Sequence, residues 1–143
     1  MTLIELCVVM LLAGLLLVLA LPSWQQQVRR ARRADAFAAL AQIELAQSRW
    51  RSRHAEHAGS LGADGLALPT RSPAGHYALA LDAGIDDPAS AFRATASALG
   101  DQAGDADCRW LAIEYAAGAL RPRSGPDARL DNDAARNRDC WRP

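Results

Sequence analysis

The sequence contains no lysine. All 16 of its basic residues are arginine, and 16 acidic residues balance them to a formal net charge of zero. The arginine-only usage reads as a compositional bias, and the balanced charge removes any global argument for a polyanionic partner. Catalytic constellations are lacking too: there is no Ser/His/Asp order, glycine-rich phosphate loop or nucleophile elbow. His54, His57 and His76 form no ligand spacing with a nearby acid pair and are expected at the surface. Asp101, Asp105 and Asp107, and Asp127, Asp131 and Asp133, lack the central glycine and terminal glutamate of a calcium loop, so they read as solvated loop acids. No metal, cofactor or enzymatic activity is expected.

Cysteine is scarce, with three in 143 residues. Cys7 lies in an apolar block. Cys108 and Cys140, 32 positions apart, make the natural pair; the alternative is two unpaired buried thiols. A disulfide there would contribute about 3–4 kcal/mol in the chain-entropy picture and would place that half of the chain in an oxidising compartment. No zinc spacing surrounds either cysteine.

What the chain does have is an uncharged run from Leu6 to Pro22, with Glu5 at its edge. As a helix, Leu6 to Leu21 would cover about 24 Å, a little short of the hydrocarbon core of a bilayer. A signal peptide would carry basic residues before such a run and small residues at a cleavage site after it. Here an acid precedes it and Pro22-Ser23-Trp24 follows. A soluble core helix would show polar positions at helical spacing, and none occur. Residues 1–22 are therefore expected to be a transmembrane or filament-core helix segment.

Pro22 is expected to kink the helix, not end it. An amphipathic continuation follows over residues 23–57, with helix expected from Ser23 to Glu56. Val28, Ala36, Ala39, Leu40, Ile43 and Trp50 share one face, and Phe37, Ala41 and Leu45 share another. A helix apolar on two sides needs two partners: the protein's own sheet and another molecule. The cluster Arg29, Arg30, Arg32 and Arg33 reads as a solvated helix face or a lipid-headgroup contact. The positive-inside rule would place it in the cytoplasm, against the compartment a disulfide implies.

Residues 58–143 read as a globular region. Gly59 to Gly75 is an irregular connection. Alternation over His76–Asp82, Phe92–Ala98 and Arg109–Tyr115, then a turn at Ala117-Gly118 into Ala119–Arg121, predicts a small antiparallel sheet. It would pack on the helix near Leu40, Ile43 and Trp50. The tail from Pro122 shows little regular pattern. The fold class is α+β, a long N-terminal helix on a small antiparallel sheet.

These features resemble a type IV pilin. Thr2-Leu3-Ile4-Glu5-Leu6 is similar to the family's N-terminal signature, with Met1 where an N-methylated phenylalanine usually stands. The apolar run, Pro22, the amphipathic continuation and the Cys108–Cys140 loop match the family layout. The ending Asp139-Cys140-Trp141-Arg142 resembles minor pilins of the PilE type. The resemblance implies a structural subunit of a type IV pilus that helps to prime assembly. It would be anchored by a single pass in the inner membrane of a Gram-negative bacterium, with its domain in the periplasm, and later reach the pilus and cell surface. It implies processing at Met1 by the prepilin peptidase, handling by the pilus assembly machinery, and contact with other pilin subunits through the N-terminal helix. Glu5 would pair with the N-terminal amine of an adjacent subunit; the plainer alternative is a helix-start acid favoured by the dipole.

Other readings are a major pilin, a type II secretion pseudopilin, a periplasmic enzyme on an anchor, and a DNA-uptake pilin. The enzyme lacks any candidate polar pocket. The last draws on a basic surplus in the tail, where Arg121, Arg123, Arg136 and Arg138 could hold phosphates. Trp141 could add an exposed contact aromatic, or could pack over the disulfide.

Overall fold

The computed structural model describes residues 2–84 and 89–142, the side chains of residues 16–23 excepted. Helix α1 spans Leu3–Arg51, 49 residues and about 73 Å. Thr2 precedes it with extended backbone. The helix is continuous through position 22; the side chain of Pro22, and with it the expected kink, lies outside the described residues, as does Met1.

The helix ends five residues before the expected Glu56. Its last carbonyls are taken up locally, as helix ends require. The Ser52 hydroxyl donates to the Arg49 carbonyl at 2.7 Å, and the backbone N–H groups of Arg53 and His54 donate to the Trp50 carbonyl at 3.0 and 3.1 Å. The chain then folds back, because the buried Gln47 amide clasps the Ala58 backbone. Its Oε1 accepts from Ala58 N at 3.0 Å, and its Nε2 donates to Ala58 O at 2.7 Å.

Four strands follow, β1 (Tyr77–Ala83), β2 (Phe92–Ala98), β3 (Trp110–Ala116) and β4 (Ala119–Gly125). They pair in chain order as an antiparallel meander. The two-residue period sends Tyr77, Leu79, Leu81, Phe92, Ala94, Ala96, Leu111 and Ile113 inward onto Ala36, Ala39, Leu40 and Ile43 of α1. The alanines of β2 leave room for the helix to approach the sheet closely. The architecture is the expected α+β arrangement.

The tail is more ordered than its composition suggests. Strand β4 runs four residues beyond Arg121, straight through Pro122. Proline is tolerated there because β4 is an edge strand and needs no donor on its free side. A short helix α2 (Ala134–Cys140) closes the domain. Asp133 caps it, accepting from Ala135 N at 3.0 Å and Arg136 N at 2.9 Å.

Candidate functional site

The domain is locked to the helix by a buried polar clamp. Arg33 points inward, not to solvent or lipid as expected for its cluster, and its side chain is 8% exposed. Its Nε and Nη2 donate to the two carboxylate oxygens of Asp105 at 2.7 and 2.8 Å, and its Nη1 donates to the Asp139 carbonyl at 2.9 Å. Arg29 adds a bond from Nη1 to the Gly104 carbonyl at 2.8 Å. A Cβ at Gly104 would lie 2.6 Å from that guanidinium, so a larger residue there would push the Arg29 side chain aside. Beneath the clamp, buried Gln102 donates from Nε2 to the Tyr77 hydroxyl at 2.9 Å. Burial pushes the Tyr77 phenol up to about 12.

Cys108 and Cys140 are joined in a disulfide, with their Cα atoms 5.4 Å apart. The bond fastens α2 to the segment before β3, beside Asp105 and Asp139. Trp141 is half-buried, stacked on Phe37 of α1 with ring centroids 4.9 Å apart, and its Nε1 donates to the Arg123 carbonyl at 3.1 Å. The indole thus braces the C-terminus against the helix.

On the side of α1 opposite the sheet, a stripe is bare. Ala31, Ala34, Ala38 and Ala41 are exposed, between Trp24 at 68% and Leu45 at 52%. At 100° per residue these positions lie across the helix from Ala36, Leu40, Ile43 and Gln47. Trp24, Ala31, Ala38 and Leu45 recur every seven residues, and the same spacing runs back through Met10 to Leu3, both exposed. Of the expected second face, Ala41 and Leu45 belong to this stripe, while Phe37 is half-buried under Trp141. The seven-residue spacing was visible in the sequence, but only the position of the sheet identifies the free side. Among the described residues no helix is long and apolar enough to cross a membrane; within the run from Leu6 to Leu21, the described side chains end at Leu15. At the start of α1, Glu5 Oε2 accepts from the backbone N–H of Thr2 in its own chain at 3.3 Å.

The arginines singled out in the tail divide between two places. Arg121 and Arg123 stand exposed on the outer face of the sheet, on β4. Arg136 and Arg138 are exposed on α2. Arg93 of β2 joins the first group: Glu114 accepts from Arg93 Nη2 at 2.8 Å and from Arg123 Nε at 3.3 Å, and faces Arg121 across the β3–β4 ladder. Sequence reading missed Arg93 because it lies far from the tail; the strand alternation that turns Phe92 inward turns it outward.

The acids and histidines have local duties. Asp105 holds Arg33, Asp133 caps α2, and Asp127 binds Arg129, whose bonds hold the Asp127 carboxyl below its usual range. Among the described residues, no three His, Cys, Asp or Glu side chains converge on a metal position. His54 stacks on Trp50 at 3.8 Å between centroids. His57 is not a plain surface histidine. Its ring contacts Phe92 at 4.9 Å and Tyr115 at 5.3 Å, and burial, aided by the nearby Arg51 charge, lowers its pKa.

A family model described as "Type IV minor pilin ComP, DNA uptake sequence receptor" matches residues 22–112, more than half of the chain. No curated protein matches it.

Proposed function

The chain belongs to the family of the type IV minor pilin ComP, and from that premise we propose that it is a filament subunit that also contacts DNA. The bare stripe of α1 carries the structural half of this reading. A helix already buried on one side by its own sheet gains nothing within this chain from a second apolar face. A parallel helix from a neighbouring subunit would cover it, and a seven-residue repeat is the spacing at which two helices keep one seam in contact. Residues 1–22 would extend the same seam, resting in the inner membrane before assembly and in the filament core afterwards. The domain would then sit in the periplasm, in keeping with its disulfide. The role is structural and non-enzymatic, and it needs the prepilin peptidase and the assembly machinery as partners.

In this reading Glu5 exchanges its bond to Thr2 for the free α-amine of a neighbouring subunit. A carboxylate in an apolar filament core is far better paired than alone. The DNA half rests on the wording of the family description and on the exposed Arg121, Arg123, Arg136 and Arg138. Trp141, braced on Phe37, shapes this end of the domain.

The test has two readouts on the full chain. Tagged protein expressed in a piliated host should co-purify with sheared filaments, and recovery in the membrane fraction alone would refute the filament role. In detergent micelles the chain should bind duplex DNA with an affinity that falls steeply with salt; no binding at low salt would refute the DNA role.

A further inference from the structure

We infer that DNA is held on the outer face of the four-stranded sheet, by phosphate contacts from Arg71, Arg93, Arg121 and Arg123; this rests on the DNA reading above. In register, one row across the sheet runs Asp82, Arg93, Glu114, Arg121, and the next runs Ala80, Thr95, Ala112, Arg123. Arg71 is bridged to Ala78 beyond the β1 edge and is exposed. The face therefore sets four guanidiniums against two carboxylates, on a chain of zero net charge.

Glu114 is the organising residue. Its two oxygens take one donor each from Arg93 and Arg123, while Arg121 stands opposite on β4. A guanidinium carries five donors, so one shared carboxylate leaves donors to spare on two side chains that are 52% and 53% exposed. Arg93 and Arg123 are held by Glu114 before any ligand arrives, which lowers the entropic cost of binding.

Dimensions favour phosphates over base edges. From the strand position of Arg71 to β4 is four strand spacings, about 19 Å, against a major groove about 12 Å wide. The sheet cannot enter the groove; it lies across it and grips the flanking backbones. The alternative patch on α2 is weaker. Arg136 and Arg142 face Asp133 and Asp139 at 3.9 and 3.7 Å, which leaves Arg138 as the surplus charge there.

The test uses the full chain in micelles and fluorescence anisotropy with a labelled mixed-sequence duplex of about 20 base pairs, from about 50 to 200 mM salt. Arg93→Ser/Arg121→Ser/Arg123→Ser should weaken binding at least tenfold and flatten the slope of log K against log salt by about 2.7. Arg136→Ser/Arg138→Ser/Arg142→Ser should stay within about threefold of wild type, as expected of near-neutral contacts. Arg121→Glu alone, at an exposed site, serves if the triple variant misfolds, and should weaken binding in the same direction. The reverse pattern, with the α2 triple losing binding and the sheet variants retaining it, overturns the sheet assignment and leaves the DNA reading intact. Wild-type chain that binds no duplex at low salt overturns both.

Discussion

Arg33 and Asp105 form a two-pronged ion pair across the junction of helix and domain, at 2.7 and 2.8 Å, with side chains only 8% and 11% exposed. Arg33 also holds the Asp139 carbonyl next to Cys140. One side chain from the stalk therefore secures both the segment before β3 and the C-terminal helix. Removing one partner leaves the other buried and uncompensated. Arg33→Ala should destabilise the domain by about 3–5 kcal/mol in denaturant melts of the full chain in detergent. Arg33→Met/Asp105→Leu should be less damaging than either single truncation, because it leaves no buried charge.

The Cys108–Cys140 bond closes a loop of 32 positions. Its loss through Cys108→Ser/Cys140→Ser should lower stability by about 3–4 kcal/mol. Thermal melts with and without a reductant check this, and reduced wild type should match the double variant. Cys7 lies outside the domain and should not matter to the melt.

His57 supplies a pH dependence whose sign is fixed by its surroundings. Its pKa in the folded state lies below the ordinary 6.5, because burial and the Arg51 charge disfavour the imidazolium. The unfolded chain therefore takes up the proton first. The stabilisation is complete above about pH 6.5 and is lost as the pH falls through the folded pKa. Melting temperatures at about pH 7.5 and pH 5 should differ more for wild type than for His57→Phe, which keeps the ring among Phe92 and Tyr115 but cannot titrate. Equal differences in the two proteins would remove His57 from the account.

The parts of this fold that were legible in the sequence are those governed by periodicity. Leu40 and Ile43 at helical spacing, and Leu79, Leu81, Leu111 and Ile113 at strand spacing, point to the core they occupy. The cysteine pair was legible from its position. Arg33 was not, because a buried arginine next to three exposed or half-exposed ones carries no local mark; its burial depends on Asp105, 72 positions away. Gln47 and His57 escaped for the same reason: Gln47 is held by Ala58 in the fold-back after α1, and His57 by Phe92 and Tyr115 on β2 and β3. Pro122 argued against a strand until β4 proved to be an edge. Helix α2 has only the Asp133 cap as a sequence signal, and its seven residues are too few for a period to show. The candidate surfaces followed suit: the arginines of β4 were visible in the tail, whereas their association with Arg93 and Glu114 is a product of strand register.

Glu5 tests the axial register of assembly. Glu5→Gln keeps an acceptor for the Thr2 N–H and removes the charge that the neighbouring amine would meet. Incorporation into sheared filaments, measured by quantitative immunoblot against the membrane pool, should fall at least tenfold, equivalent to about 1.4 kcal/mol per subunit contact. Unchanged incorporation would assign Glu5 to helix capping alone.

The most direct measurement concerns the bare stripe of α1. Leu45→Arg alters an exposed residue on the side away from the sheet, so the melt of the isolated chain should move by no more than about 0.5 kcal/mol. If the stripe is the filament contact, this folded, membrane-resident variant should be depleted at least tenfold from sheared filaments. Wild-type levels of Leu45→Arg in those filaments would contradict the account at its centre.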